Sequence, residues 1–292
     1  MKKNCLLLLV LIMIFTLASC KAQEAKLMLA DDFWSYVDGS TATIPISEAL
    51  YQHFNSQGEI AHNRTYDAYQ NLLSGKARLI FVLEPSADIL QQFADANVEI
   101  EIIPIVKDAF VLFVNNNNII QSLSVSQLRD IYTGRIVNWK AVGGEDLTII
   151  PYQRNESAGS QALFMMLLMG DEKPLTPPLE YLQTSMKDII DSVAVADRGR
   201  AAIGFNVYYY ANIMYENENI RLLQVDGVNP SYETIMGNEY PLYTYYYAVV
   251  RKDTAPDSAE RQLIDFILTD DGQMLMQEAG YVPVRAIELY NK

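Results

Sequence analysis

The sequence predicts an α/β protein with mainly parallel sheets. Three observations carry that expectation. Candidate strands and helices alternate along most of the 292 residues. Some strand candidates, 78–83 above all, are continuous apolar runs of the kind buried on both faces. Polar turns follow strand candidates and open helices, as at 38–43 and 152–161.

In chain order, 33–37 is a short strand candidate. Asp38-Gly39-Ser40-Thr41-Ala42-Thr43 is a turn, and Pro45 suits the first turn of a helix running to about Phe54. Residues 60–61 form a short strand. Asn63-Arg64-Thr65 then leads into a helix over 66–73, ended by Ser74-Gly75. Glu84-Pro85-Ser86 stops the strand 78–83, and Ser86 can cap a helix over 87–96. Two strands follow, 99–104 and 109–115, and the polar run 115–118 suits a crossing between lobes. A helix over 124–132 closes at Gly134. A loop with Trp139 then precedes a strand at 147–151. The apolar run 162–169 is long enough for about two helical turns. Beyond the loop 174–178 come a helix (187–196), a strand (201–205), an aromatic-rich helix (207–215) and a strand (221–225). Residues 240–251 are an aromatic strand region that crosses back. Residues 256–280 are largely helical, and Tyr281-Val282-Pro283-Val284 closes the chain.

The segment 152–161 reads Tyr-Gln-Arg-Asn-Glu-Ser-Ala-Gly-Ser-Gln between a strand and a helix. The first turn of a helix has free backbone N–H groups at the positive end of the peptide dipoles, so it can hold an anion. Ser157 and Ser160 add hydroxyl donors, Gly159 permits close approach, and Arg154 supplies a planar cationic fork. The alternative is that Ser157 caps the helix and Arg154 sits in solvent. Ser40-Thr41, Thr65 and Glu84 also follow strand candidates, and open α/β sheets bind ligands beyond their strands' carboxyl ends. Glu84 would repel a fully ionised anion but can accept the remaining proton of hydrogen phosphate. Against this stand ordinary turn, cap and solvated roles for these residues, with Glu84 paired to Arg64.

Composition narrows the partners. The net charge of −14 argues against nucleic acid and anionic membrane surfaces. It leaves room for a small anion, because local dipoles and one arginine can outweigh a field screened over ~8–10 Å. Met1-Lys2-Lys3-Asn4, the apolar run 5–17 and a small-residue site form a secretory leader too short to span a bilayer comfortably. Leu17-Ala18-Ser19-Cys20 resembles a bacterial lipobox, which implies cleavage before Cys20 and acylation of its thiol and new N-terminus. An ordinary secretory signal cut nearby is the alternative. Cys5 and Cys20 are the only cysteines and His53 and His62 the only histidines, so no disulfide, zinc cluster or thiol nucleophile is expected in the fold. A hydrolase using Ser157 or Ser160 would have to draw on His53 or His62. The roughly 270 residues after cleavage suit one large or two modest domains.

These residues resemble the PstS-like phosphate-binding lipoproteins of bacterial ABC importers, in the type II periplasmic-binding-protein superfamily. The resemblance is carried by Asp38-Gly39-Ser40-Thr41, by 128–139 ending in Asn138-Trp139, and by Val142-Gly143-Gly144. Residues 154–160, Ala202-Ile203-Gly204-Phe205 and Gly280-Tyr281-Val282-Pro283 add to it. It implies two α/β lobes around a cleft, no catalysis and no cofactor or metal. The expected division is a leader at 1–19, a lipidated tether at 20–31, a first lobe at 32–112 and 245–292, and a second lobe at 113–244. The implied ligand is inorganic phosphate, held by Ser40, Thr41, Thr65, Glu84, Arg154, Ala158, Gly159 and Ser160 and passed to a membrane permease. The implied location is the extracytoplasmic face of the cell membrane, as a monomer tethered through Cys20. Ala158 stands where the family usually has serine, Glu84 is longer than the usual aspartate, and Arg64 lies in a loop often rich in glycine and serine. Ala158 and Arg64 motivate an alternative ligand, another oxyanion or a small organic phosphate. The tyrosines at 208–210 and 243–247 are read as lobe packing and crossing strands rather than as a sugar platform.

Overall fold

A computed structural model of the protein describes residues 29–30, 32–56, 60–155 and 158–287. The leader, Cys20 and nearly all of the tether lie outside the described residues. The described chain opens with β1 (Val37–Gly39), α1 (Ile44–His53), α2 (Arg64–Ser74), β2 (Leu79–Val82) and α3 (Ala87–Asp95) before the long strand β3 (Ile100–Asn115). Local chemistry sets these bounds. Gly75, at φ +79°, ends α2 in the left-handed conformation that glycine adopts freely. Ser86 caps α3 by accepting from Ile89 N.

Next come β4 (Ser122–Leu123), α4 (Val125–Tyr132), β5 (Ile150–Pro151), β6 (Gln153–Arg154), α5 (Gly159–Leu163) and β7 (Leu182–Gln183). Then follow α6 (Met186–Ala194), α7 (Ala196–Gly199), β8 (Ala202–Val207), β9 (Ile220–Leu222), β10 (Gln224–Val225) and α8 (Tyr232–Met236). The chain returns through β11 (Tyr243–Arg251), α9 (Ala259–Leu268), α10 (Asp270–Glu278) and β12 (Val282–Pro283).

One eight-stranded sheet runs in the order β1-β2-β11-β3-β8-β5, with β12 and β9 also paired to β3. β3 joins the lobes. Its residues from Ile100 to Ala109 pair with β11, and from Phe110 to Val114 they pair with β8. The α/β class holds, but the sheet is mixed rather than mainly parallel. β1–β2 and β5–β8 are parallel, whereas β3 and β11 run antiparallel to their neighbours. Continuous apolar runs report burial on both faces, which the central strands share whatever their direction.

Several boundaries move for physical reasons. The stretch expected as a strand at 33–37 is a 3-10 turn, Phe33–Tyr36, before the short β1. The strands expected at 99–104 and 109–115 are the single β3, which tolerates Pro104 because the β11 register shifts opposite it, between Tyr246 and Tyr247. The helix expected over 256–280 breaks at Thr269, whose Oγ1 accepts from Gly272 N and so starts α10. The apolar run after α5 continues as a π-helical segment, Phe164–Met169, and Phe164 stacks on Phe205 of β8 at 4.9 Å. That contact fixes the helix opening at Gly159 against the central sheet. Among the described residues no helix is long and apolar enough to cross a membrane.

Candidate functional site

The ends of β1, β2 and β6 and the starts of α2, α5 and α6 enclose a cavity of about 380 Å³. Ser40, Thr41 and Thr65 line it, and so do Arg154, Ala158, Gly159 and Ser160. Sequence-predicted residues more than a hundred positions apart therefore meet.

The first wall begins at β1. Ser40 N donates to Phe81 O of β2 at 3.0 Å, and Thr43 Oγ1 donates to the same carbonyl at 2.8 Å. The backbone is so close here that a Cβ on Gly39 would lie 2.7 Å from Thr43 Oγ1. Behind the turn, the buried Asp38 carboxylate accepts from Gly39 N (2.7 Å), Asn63 N (3.0 Å), Asn63 Nδ2 (2.9 Å) and Asn71 Nδ2 (2.7 Å). One carboxylate thus ties the β1 turn to the loop that starts α2. His62 in that loop packs its ring nitrogen 3.1 Å from Ser47 Oγ, and burial pushes its pKa down.

Thr65 stands in the first turn of α2. Its Oγ1 is buried and has no hydrogen-bond partner among the described residues. Arg64 beside it takes φ +70°, a left-handed conformation that costs a non-glycine residue roughly 1–2 kcal/mol. Arg64 is exposed, lines the cavity, and forms no ion pair with a described carboxylate, Glu84 included.

Arg154 dominates the second wall. Its backbone N donates to Gln161 Oε1 at 2.9 Å, its Nη1 to Ser160 Oγ at 3.0 Å and its Nη2 to Thr184 O at 2.9 Å. Its Nε is buried without a partner among the described residues. A guanidinium has five N–H donors, so this one is held in place with donors still to offer. Burial pushes its pKa down, and Arg64 adds repulsion, while Asp188 and Tyr210 oppose the shift. The group stays charged, being an arginine. Ser160 Oγ accepts from Arg154, which leaves the hydroxyl hydrogen for a ligand. Gln161 Nε2 reaches Gln153 Oε1 at 3.3 Å, and Gln153 Nε2 donates to Leu175 O at 2.8 Å, bracing β6 from behind.

Ala158 takes the extended backbone of a helix cap and offers no side-chain bond. Ser157 lies outside the described residues. Gly159 sits where the lobes nearly touch. A Cβ there would be 3.7 Å from both Leu83 Cδ1 and Thr65 Oγ1.

Glu84 is the one candidate the structure does not bring to the group. It is exposed and absent from the lining, while the buried Leu83 takes that place. Leu83 and Glu84 lie just past the end of β2, and it is Leu83 that takes the inward position. Glu84 lies instead near Tyr69 and Tyr247, whose phenol pKa values its charge helps raise after burial itself.

Sequence reasoning assigned no binding role to several lining residues: Asn155, Thr184, Ser185, Met186, Tyr210, Met214 and Tyr246. Tyr246 is fully buried, and its Oη has no partner among the described residues. The other tyrosines largely pack, as in the Tyr209–Tyr281 stack at 4.6 Å. The described residues contain no cluster of side chains suited to a metal ion.

Known proteins were compared with this architecture. The PstS phosphate-binding protein of Bacillus subtilis strain 168 is 26% identical over 172 residues, covering 59% of this chain and 53% of that protein. The chain thus aligns with about half the length of that relative. The PstS phosphate-binding protein of Borreliella burgdorferi is 24% identical over 291 residues, covering 94% of this chain and 99% of its own. Among solved structures, an ABC-type phosphate transport receptor from Vibrio cholerae superposes with a TM-score of 0.68 at 21% identity, over 85% of this chain and 98% of that one. At that identity the superposition establishes a shared two-lobed fold. The PBP superfamily domain matches residues 36–271, most of the described chain, and the protein belongs to that superfamily.

Proposed function

We propose that this protein is an extracytoplasmic solute-binding protein that captures inorganic phosphate and delivers it to an ABC importer. The observation that carries the reading is the convergence of unpaired donors from both lobes. Thr65 Oγ1 and Arg154 Nε are buried without partners on opposite walls of one cavity, beside the hydroxyls of Ser40, Thr41 and Ser160. A buried donor left unpaired costs about 1–3 kcal/mol, and an oxyanion between the lobes would recover that cost at several donors at once. The names of the PstS relatives support phosphate over other oxyanions.

Binding involves no bond-making step, and the proposed partner is a membrane permease that reads lobe closure around the ligand. The lobe division proposed with it is 32–112 with 245–292 against 113–244. The change of β3 partners at Ala109–Phe110 supports it. Attachment to the membrane through an acylated Cys20 and a monomeric state belong to the same proposal. The lipobox-like Leu17-Ala18-Ser19-Cys20 supports the first, since buried methylenes contribute roughly 0.8 kcal/mol each to anchoring. Titration calorimetry of the chain from Cys20 onward with inorganic phosphate tests the reading. Saturable binding at one site is expected, and no saturable binding overturns it.

A further inference from the structure

We propose that Arg64 binds the anion as a second cation beside Arg154, so that the site matches an oxyanion carrying two negative charges. The inference rests on the phosphate reading above and assigns a further specificity-determining residue to the same site.

The backbone is the first argument. Five described non-glycine residues have positive φ, and four of them are Asn or Asp, which tolerate that conformation. Arg64, at φ +70°, is the fifth. Its neighbours hold it there. Asn63 is tied to the buried Asp38 carboxylate through its backbone N at 3.0 Å and its Nδ2 at 2.9 Å. Thr65 follows, with its buried Oγ1 unpartnered among the described residues. Strained backbone of this kind concentrates at ligand sites, where the strain serves to aim a side chain. Here the aimed side chain is an arginine, one residue from a donor already assigned to the anion.

Charge is the second argument. Arg64 and Arg154 line the same cavity. Burial and then the Arg64 charge push the Arg154 pKa down, so the two guanidiniums lie within electrostatic reach of each other. No described carboxylate lines the cavity, and Arg64 forms no ion pair with a described one. A chain of net charge −14 has thus gathered two cations at one cavity, and a cleft lined by one sign of charge concentrates the opposite sign. An anion seated there relieves the repulsion between them. A second negative charge on the ligand gives the second guanidinium a partner, which it can meet with paired N–H donors.

Calorimetry with inorganic phosphate on the parent, Arg64→Gln and Arg64→Gly tests the inference. Both variants are expected to bind phosphate at least about fivefold more weakly, as when a charge-assisted contact is lost. Added sodium chloride is expected to weaken phosphate less steeply in Arg64→Gln than in the parent, because one of two screened attractions is gone. The urea midpoint of ligand-free Arg64→Gly is expected at or above the parent's, since glycine adopts positive φ without strain. A loss smaller than about fivefold in Arg64→Gln overturns the inference and leaves the phosphate reading standing, and so do equal salt slopes. A lower midpoint in Arg64→Gly also overturns it, by assigning the arginine to folding. If the parent does not bind phosphate, the phosphate reading fails and the inference falls with it.

Discussion

Arg154 Nη1 donates to Ser160 Oγ at 3.0 Å, so the cation and the hydroxyl of the second wall act as one unit. Ser160 fixes the guanidinium, and the guanidinium fixes the serine as a donor toward the cavity. Ser160→Ala removes a ligand contact and loosens Arg154 together. A hydrogen bond to a charged group is worth about 1.5–3 kcal/mol, so phosphate affinity should fall roughly 10- to 100-fold. Calorimetry on the variant checks this. An affinity within twofold of the parent, a change of only about 0.4 kcal/mol, would contradict it.

Asp38 organises the opposite wall from behind. Its carboxylate receives four N–H donors from Gly39, Asn63 and Asn71. Asp38→Asn places an amide donor among those donors, and a buried donor without an acceptor costs about 1–3 kcal/mol. Urea unfolding should show a loss of that order. Phosphate affinity should fall with it, because the β1 turn and the start of α2 lose their common tie.

Glu84 points away from the cavity, and only screened, solvent-exposed charge connects it to the ligand. Glu84→Gln should leave phosphate affinity within about fivefold, since exposed charge interactions are worth about 0–1 kcal/mol. A large loss would place the carboxylate against the anion after all.

Asp108 sits in β3 beside the crossing between lobes, fully buried, with Oδ1 accepting from Ala109 N and Tyr209 N and Oδ2 unpartnered among the described residues. Burial pushes its pKa up to about 7 from 3.8, against the opposing backbone hydrogen bonds. A carboxyl whose folded pKa exceeds its unfolded one binds more protons when folded. Its contribution is therefore favourable at low pH and is lost as pH rises from about 4 to about 7. Asp108→Asn removes that dependence. The stability of the variant relative to the parent should rise through this window by roughly 1 kcal/mol per pH unit and level off above it. Urea midpoints at pH 4, 5.5, 7 and 8.5, about evenly spaced across the window, measure the trend.

Much of this architecture was legible in the sequence because it rests on local signals. The Ser86 cap, Gly75 after α2 and the polar turns at 38–43 and 152–161 each announce themselves within a few residues. What stayed hidden depends on distance or register. Asp38 meets Asn63 and Asn71 only after folding, at separations of 25 and 33 residues. Tyr246 reaches the cavity because of where β11 pairs and bulges, and no local pattern separates it from Tyr245 or Tyr247. Leu83 and Glu84 exchange roles on the position of one strand end. The strand expected to end at Pro104 instead runs on through an irregularity in its pairing with β11.

The central claim is that Arg154 and the hydroxyls facing it form a clamp for phosphate between two lobes. Titration calorimetry of Arg154→Ala beside the parent chain tests it most directly. One saturable phosphate site is expected in the parent and an affinity about a hundredfold weaker in the variant, as when a buried cation that donates to the anion is removed. Full phosphate affinity in Arg154→Ala would contradict it.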